Sequence, residues 1–231
     1  MPVACIHQPQ YIPYLGFFHK LAQSDIYVIH DDIAAIKADF TNRNRIRTPQ
    51  GWIWLTIPVV RKEGVAINQI RLNNTLSWRK KHWQLLTNMY GRSRFFKDYA
   101  DFFEDTYNKE WEFLAAFDIH LLRYISNQLD ISTEFVPVDS LSVDGKGDDK
   151  LISICRAVGA DTYLSGIGGK DYIEERKFEE ANIKLMYQEF THPVYEQRFE
   201  PFEPNMSVVD LLFNNGTNSL DIIMRKNKIG K

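Results

Sequence analysis

The stretch VACIHQPQYIPYLGFFHKLAQSDIYVIHDD (Val3–Asp32) decides the fold. VACIH is an apolar run with its first polar residue at its end, the pattern of a short strand buried on both faces. GFFHKLAQS then sets Phe17 and Leu21, with Phe18 beside them, at helical spacing. DIYVIHDD is a second buried strand, closed by acids. Strand, helix and strand in succession make a βαβ unit, hence a parallel pair joined by a right-handed crossover. Ligands of such sheets gather beyond the carboxyl ends of the strands. His7, Gln8 and Gln10 follow the first strand, while His30, Asp31 and Asp32 close the second. Both polar groups therefore fall on one edge of the sheet.

Working outward, GWIWLTIPV (Gly51–Val59) reads as a third strand and AINQIRLNN (Ala66–Asn74) as a short fourth. From Trp78 to about Leu129 apolar residues recur three and four apart, which predicts amphipathic helices, the first ending at Gly91 as a C-cap. TEFVPVDSL (Thr133–Leu141) returns to a strand, GKGDDK is a polar loop, and KLISICRAVGA is a helix ending near Gly159. DTYLSG and IKLMYQEF are strands on either side of the helix DYIEERKFEEAN. In PNMSVVDLLFNNG, Ser207 is the expected N-cap, Asp210 the exposed side and Gly216 the stop. The alternation predicts one α/β domain over residues 1–231, a mainly parallel sheet with flanking helices and a helical insertion over 75–130.

Composition excludes several classes. With 44% hydrophobic and 13% aromatic residues the chain can fill an interior and is not disordered. Its 28 basic against 30 acidic residues leave a net charge of −2, unlike a protein that grips DNA through phosphates. Cys5 and Cys155 alone provide neither a disulfide framework nor zinc-ligand spacing, and both read as buried thiols. MPVACIHQPQ lacks the features of a signal peptide, and no run approaches the ~20 apolar residues of a membrane span. The cytoplasm is the expected location.

Three clusters carry candidate chemistry. YLSGIGGKDY (Tyr163–Tyr172) delivers Ser165 and Gly166 from a strand, turns at Gly168–Gly169, and sets Lys170 and Tyr172 just beyond. Exposed backbone N–H groups with a lysine would cradle phosphate, although the spacing matches neither a P-loop nor a dinucleotide fingerprint. The alternative is a turn that uses glycine for positive φ. NRNRI (Asn42–Ile46), with Lys37 and Arg47 close by, reads as a loop. Its Asn42, Arg43, Asn44 and Arg45 would hold a carboxylate, phosphate or sugar, or else be a solvated basic loop. Asp31 and Asp32 would hold Mg²⁺ beside substrate phosphates, or cap and pair locally. His7 is placed for acid–base work; His19 reads as a surface or packing residue, and His82, His120 and His192 have no partners by spacing. Ser165 lacks the flanking glycines of a hydrolase elbow.

Taken together, IHQPQYIPYLGFFHKLAQSD, NRNRIRTPQGWIWLTIPV, YLSGIGGKDY and SVVDLLFNNG resemble the WbqC-like protein family, from His7 to about Gly216. This chain has Tyr14 where that family often has tryptophan, and Ile33–Ala34 where it often has Val-Gln. The resemblance implies a role among enzymes of surface-polysaccharide and modified-sugar synthesis, as a glycine or aminoacyl transferase acting on an amino sugar. The layout is also similar to nucleotidyl transferases. There YLGF (Tyr14–Phe17) takes the place of the nucleotide-binding histidine motif and keeps only its glycine.

These readings give an acyl or aminoacyl transferase or ligase, with ATP and Mg²⁺ as candidate cofactors and a nucleotide-linked amino sugar as candidate substrate. His7, Asp31 and Asp32 are the catalytic candidates. Gln8, Gln10, Tyr14, Lys37, Asn42, Arg43, Asn44 and Arg45 are the substrate-binding ones. Ser165, Gly166, Gly168, Gly169, Lys170 and Tyr172 are the phosphate-binding ones. The alternatives are a non-catalytic binding protein and a scaffold. Phe95, Phe96, Tyr99, Phe102, Phe103 and Tyr107 exceed what one core face needs, which suggests a homodimer face.

Overall fold

The computed structural model describes residues 2–36, 39–60 and 63–225; Lys37, a substrate-binding expectation, lies outside the described residues. The chain opens with β1 (Val3–His7), α1 (Leu15–Leu21) and β2 (Ile26–Ile29). A hairpin, β3 (Arg43–Thr48) and β4 (Gly51–Thr56), and three helices, α2 (Trp78–Tyr90), α3 (Phe96–Asn108) and α4 (Leu114–Gln128), follow. The main sheet resumes with β5 (Glu134–Pro137), α5 (Asp148–Ala157), β6 (Thr162–Ser165), α6 (Glu175–Glu180) and β7 (Lys184–Tyr187). Two helices, α7 (Val208–Asn215) and α8 (Ser219–Met224), complete the described chain.

The sheet is five-stranded, in the order β5-β2-β1-β6-β7, and its pairs are parallel. In β1 and β2 successive side chains enter opposite cores. Cys5, Tyr27 and Ile29 pack with α1, the inserted helices and α7, whereas Ala4, Ile6 and Val28 pack with Ile154 and Cys155 of α5 and Phe178 of α6. The register sets His7 abreast of Ile29, and Ile29 abreast of Pro137. All the loops that leave these strands therefore emerge along one edge.

The insertion corrects several expectations. NRNRI is not a loop: it is β3, paired antiparallel with β4 in a separate two-stranded sheet. The strand expected over Gly51–Val59 is present as β4, over Gly51–Thr56, whereas the segment read as a fourth strand carries a 3-10 turn at Ile67–Gln69. The reason is period-two alternation with asparagine on the inner side. Asn44 and Ile46 are buried, while Arg43 and Arg45 point outward onto tryptophans. Gly91 does C-cap α2 but at φ −59°; a Cβ there would crowd the Thr87 carbonyl, so packing rather than handedness selects glycine. Ser207 caps α7 by accepting from the Val209 N–H, and Gly216 ends it at φ +57°. Asp210, expected on the exposed side, is fully buried, because Tyr195 and Gln197 donate to its carboxylate at 2.8 Å each. The aromatic side chains of α3 are inside as well: Phe96, Tyr99 and Phe103 each pack on Phe213 of α7. Of the six aromatics expected to exceed one core face, Phe96, Tyr99, Phe103 and Tyr107 are buried, while Phe95 and Phe102 are half-buried.

Candidate active site

Renumbered in chain order, the five strands run 3-2-1-4-5, the doubly wound arrangement. The chain leaves β1 toward β2 on one side and leaves β6 toward β7 on the other. A crevice therefore opens between the loops after β1 and β6, the topological switch point where open α/β sheets bind ligands. A cavity of about 440 Å³ occupies that place. Its walls come from the β1 loop and α1 (His7, Gln10, Tyr14, Gly16, Phe17, Lys20), the β6 loop (Gly166, Ile167, Gly168) and the segment after β7 (Gln188–Thr191).

The polar groups in it are set by their neighbours. Nδ1–H of His7 donates to the Gln8 carbonyl at 2.9 Å, which leaves Nε2 with a free lone pair. Burial, reinforced by the charge of Lys20, holds the imidazole pKa down at about 3, so it is neutral in the folded protein. The ring also stands edge-on to Phe17, 5.3 Å between centroids. Gln188 donates to the Gly16 carbonyl at 2.7 Å and to Nδ1 of His19 at 2.8 Å, which ties the segment after β7 to α1. His19, fully buried, is therefore a packing residue and not a surface one. Lys20 is 4% exposed, and no carboxylate among the described residues neutralises it; burial pushes its pKa down.

A second cavity, of about 660 Å³, lies at the same sheet edge and shares His7 and Gln10 with the first. It is lined on the side of α5 by Gly145, Lys146, Gly147 and Lys150, and further by Gln8, His30, Tyr163 and Tyr172. Lys150 is bound there to Asp32, 2.5 Å from Nζ to Oδ2. The two compartments thus meet across the tip of β1, with His7 at the junction.

The expected site residues divide. His7, Gln8, Gln10, Tyr14, Gly166, Gly168 and Tyr172 line one compartment or both. Asn42 and Asn44 serve the scaffold: Asn42 donates to the Ile57 carbonyl at 2.8 Å, and Asn44 to the Ile12 carbonyl at 2.9 Å. Arg43 and Arg45 stack on Trp54 and Trp52, at 4.3 and 4.2 Å, away from both compartments. Lys170 lies over the Tyr187 ring, 5.2 Å from its centroid, and lines neither compartment. Gly169 and Ser165 are a packing pair, since a Cβ on Gly169 would collide with Oγ of Ser165. None of the turn glycines has positive φ, so that explanation for them fails.

Asp31 and Asp32 stand just beyond the end of β2, in different surroundings. Asp32 is engaged by Lys150, burial raises the pKa of Asp31 to about 6, and among the described residues no three metal-ligating side chains converge. Two residues that matter here are absent from the sequence reading, Lys20 and Lys146. All seven residues of α1 are buried. That enclosure is a property of the fold, and the sequence carries no signal that would have singled out Lys20.

These features describe a doubly wound α/β protein with a two-compartment cleft at its switch point. Residues 8–222 match the model of the WbqC-like protein family, and the chain belongs to that family. The uncharacterized protein Rv1507c of Mycobacterium tuberculosis is 35% identical over 228 residues, spanning 96% of this chain and 98% of that one. No solved structure gives a significant match. No helix among the described residues is long and apolar enough to cross a membrane.

Proposed function

We propose that this protein joins an acyl or aminoacyl group, glycine being the simplest, to the amine of an amino sugar carried on a nucleotide. The observation that supports this most is the junction at His7: one neutral imidazole with a free Nε2 faces two compartments, as a reaction between two bound substrates requires. Family membership points the same way. In the step itself the amine nitrogen attacks the donor carbonyl, the C–N bond forms, and the bond to the leaving group breaks. His7 Nε2 takes the proton that the nitrogen sheds. An amine bonded to the carbonyl carbon becomes strongly acidic, so a weak base suffices.

ATP, with Mg²⁺ as its counter-ion in solution, would supply the activation of the donor carboxylate. Gly166, Gly168 and Lys20 are the residues suited to its phosphates, and no step runs through a protein-bound metal. The second compartment, with Lys146 and the solvent-exposed Tyr172, suits the sugar nucleotide, for which tyrosine offers a stacking face. Such a substrate puts the reaction in the cytoplasm, and two buried free thiols suit a reducing compartment.

The test is incubation with ATP–Mg²⁺, single amino acids and a UDP- or dTDP-linked amino sugar, followed by pyrophosphate release and mass spectrometry of the sugar nucleotide. The expected product carries one new amide. If the sugar nucleotide binds and is recovered unchanged with every donor, the protein is a binding protein and the reading fails.

A further inference from the structure

Lys20 carries a charge that folding leaves without a counter-charge. Its side chain is 4% exposed, and among the described residues no hydrogen bond or ion pair holds its ammonium. The titratable groups that act on it or are acted on by it are the neutral pair Cys5 and His7. Glu189 lines the same cavity from an exposed position, where water screens it. A buried ammionium without a partner is expensive, and a methionine of similar length would pack there at no such cost.

The opposite wall is unusual in a second way. Gly166 and Gly168 have ordinary negative φ, and a Cβ built on either meets nothing within 4 Å. Neither backbone conformation nor packing selects glycine there, in contrast to Gly169 one residue on. What the two glycines provide is free space along the cavity wall, in which a ligand can approach the main chain. Gln10 lines the same cavity, 9% exposed and with no side-chain hydrogen-bond partner among the described residues.

We propose that Lys20 is the anion-binding residue of an oxyanion subsite in the switch-point crevice, with Gln10 beside it and the bare edge of Gly166 and Gly168 as its wall. An ammonium is a point charge and accepts a carboxylate or a phosphate oxygen alike, so the ligand is an oxyanion of either kind. Only the assignment of that oxyanion to the acyl donor or its activating nucleotide rests on the transferase reading.

The test is NMR titration of the full chain with sodium acetate and, separately, with inorganic phosphate. Wild type should show saturable shifts at His7, Gly166 and Gly168. Lys20→Met should raise the dissociation constant about tenfold or more, and Lys20→Arg should stay within about threefold. Stronger acetate binding identifies the donor carboxylate as the natural occupant, and stronger phosphate binding the nucleotide. No saturable binding to wild type, or equal binding to Lys20→Met, overturns the subsite. Should Lys20→Met fail to fold, Gly168→Val, whose side chain enters open space, decides: unchanged affinity for both anions overturns it. The two proposals fail separately. Anion binding lost in Lys20→Met with no amide product from wild type removes the transferase and keeps the subsite. Amide formation by Lys20→Met at the wild-type rate does the reverse.

Discussion

The β3–β4 hairpin and the switch-point crevice are built from the same polar residue types and put them to opposite uses. In the hairpin, folding consumes them. Arg47 is fully buried and donates to the carbonyls of Thr48, Gly51, Phe199 and Pro201, the last at 2.6 Å. Asn44 donates to the β1 loop, and Arg43 and Arg45 lie on tryptophan faces. In the crevice Lys20 and Gln10 are buried and His7 is half-buried, yet the Lys20 ammonium, the Gln10 amide and Nε2 of His7 have no such partners among the described residues. The division is one of degree: among the described residues Arg45 and Arg47 each keep a buried Nε–H without a hydrogen-bond partner, while the rest of each guanidinium is held. A polar side chain held by the fold is a structural part, and one the fold leaves unheld beside a cavity is positioned for something that arrives later.

That contrast is broken most sharply by exchanging each buried cation for methionine. Arg47→Met removes the donor from four carbonyls and should cost about 3–5 kcal/mol, as breaking a buried charged network does. For a chain of this length that is a fall in Tm of about 10 °C. Lys20→Met removes a charge that burial disfavours, so its Tm should be unchanged or higher. Thermal unfolding of both variants checks this in one experiment; similar losses in the two would mean that the crevice lysine is also a structural part.

Next in size is the effect on rate. His7→Asn keeps a polar group in the same volume but removes the base, and should lower amide formation by about 10²-fold to 10⁴-fold. The Tm should move by only a few degrees. A variant that loses stability and keeps its rate would assign His7 to the scaffold, on the hairpin's side of the comparison.

What the sequence made legible follows the range of the interactions involved. The βαβ unit is visible because alternation, helical spacing and the acidic strand end are all local. From it the ligand edge follows, and with it the position of His7, Gln10 and the glycines of the β6 loop. Of the hairpin, β4 was legible as a strand, but β3 was missed because asparagine on an inner strand face reads as a turn, until one knows that the β1 loop offers it carbonyls. Asp210 looked like an exposed first-turn acid because its donors, Tyr195 and Gln197, come from a separate segment. Lys20 is the reverse case. A lysine in a short helix is ordinarily solvated, and nothing in the sequence says that α1 is enclosed on every side.

Protonation sharpens the comparison further, because the histidines belong to both regions. Burial holds His82 and His19 at about 4 and His7 at about 3. His82 is part of a packed chain: its Nε2–H donates to the Thr56 carbonyl at 3.1 Å, and its Nδ1 accepts from Tyr11 at 3.0 Å. Each folded value lies below the value of about 6.5 in the unfolded chain, so the unfolded state takes up protons first. The contribution is complete above about pH 6.5 and is lost as pH falls toward 4. His30, His120 and His192 are shifted the same way, whereas Asp31 and Asp210, raised to about 6 by burial, act in the opposite sense. Six histidines against two carboxyls should make urea midpoints fall between pH 7 and pH 4. His82→Gln should remove one histidine's share of that fall. An anion in the crevice should raise the pKa of His7 and leave that of His82 unchanged.

The smallest effect separates the two regions most finely. Arg45 lies 4.2 Å from the Trp52 ring and 5.1 Å from that of Trp54, at the surface of the hairpin. A cation over an aromatic face at such a site contributes about 0.5–1 kcal/mol. Arg45→Ala should therefore lower the Tm by only a few degrees, and it should leave the acetate and phosphate titrations as they are in wild type. The arginine has the charge and the planar donor set that anion binding favours, yet it has already been given an aromatic partner and lines neither compartment. If Arg45→Ala weakened anion binding as much as Lys20→Met, the hairpin would have to reach the cleft when a ligand binds. The division between spent and open polar groups would then describe only the empty protein.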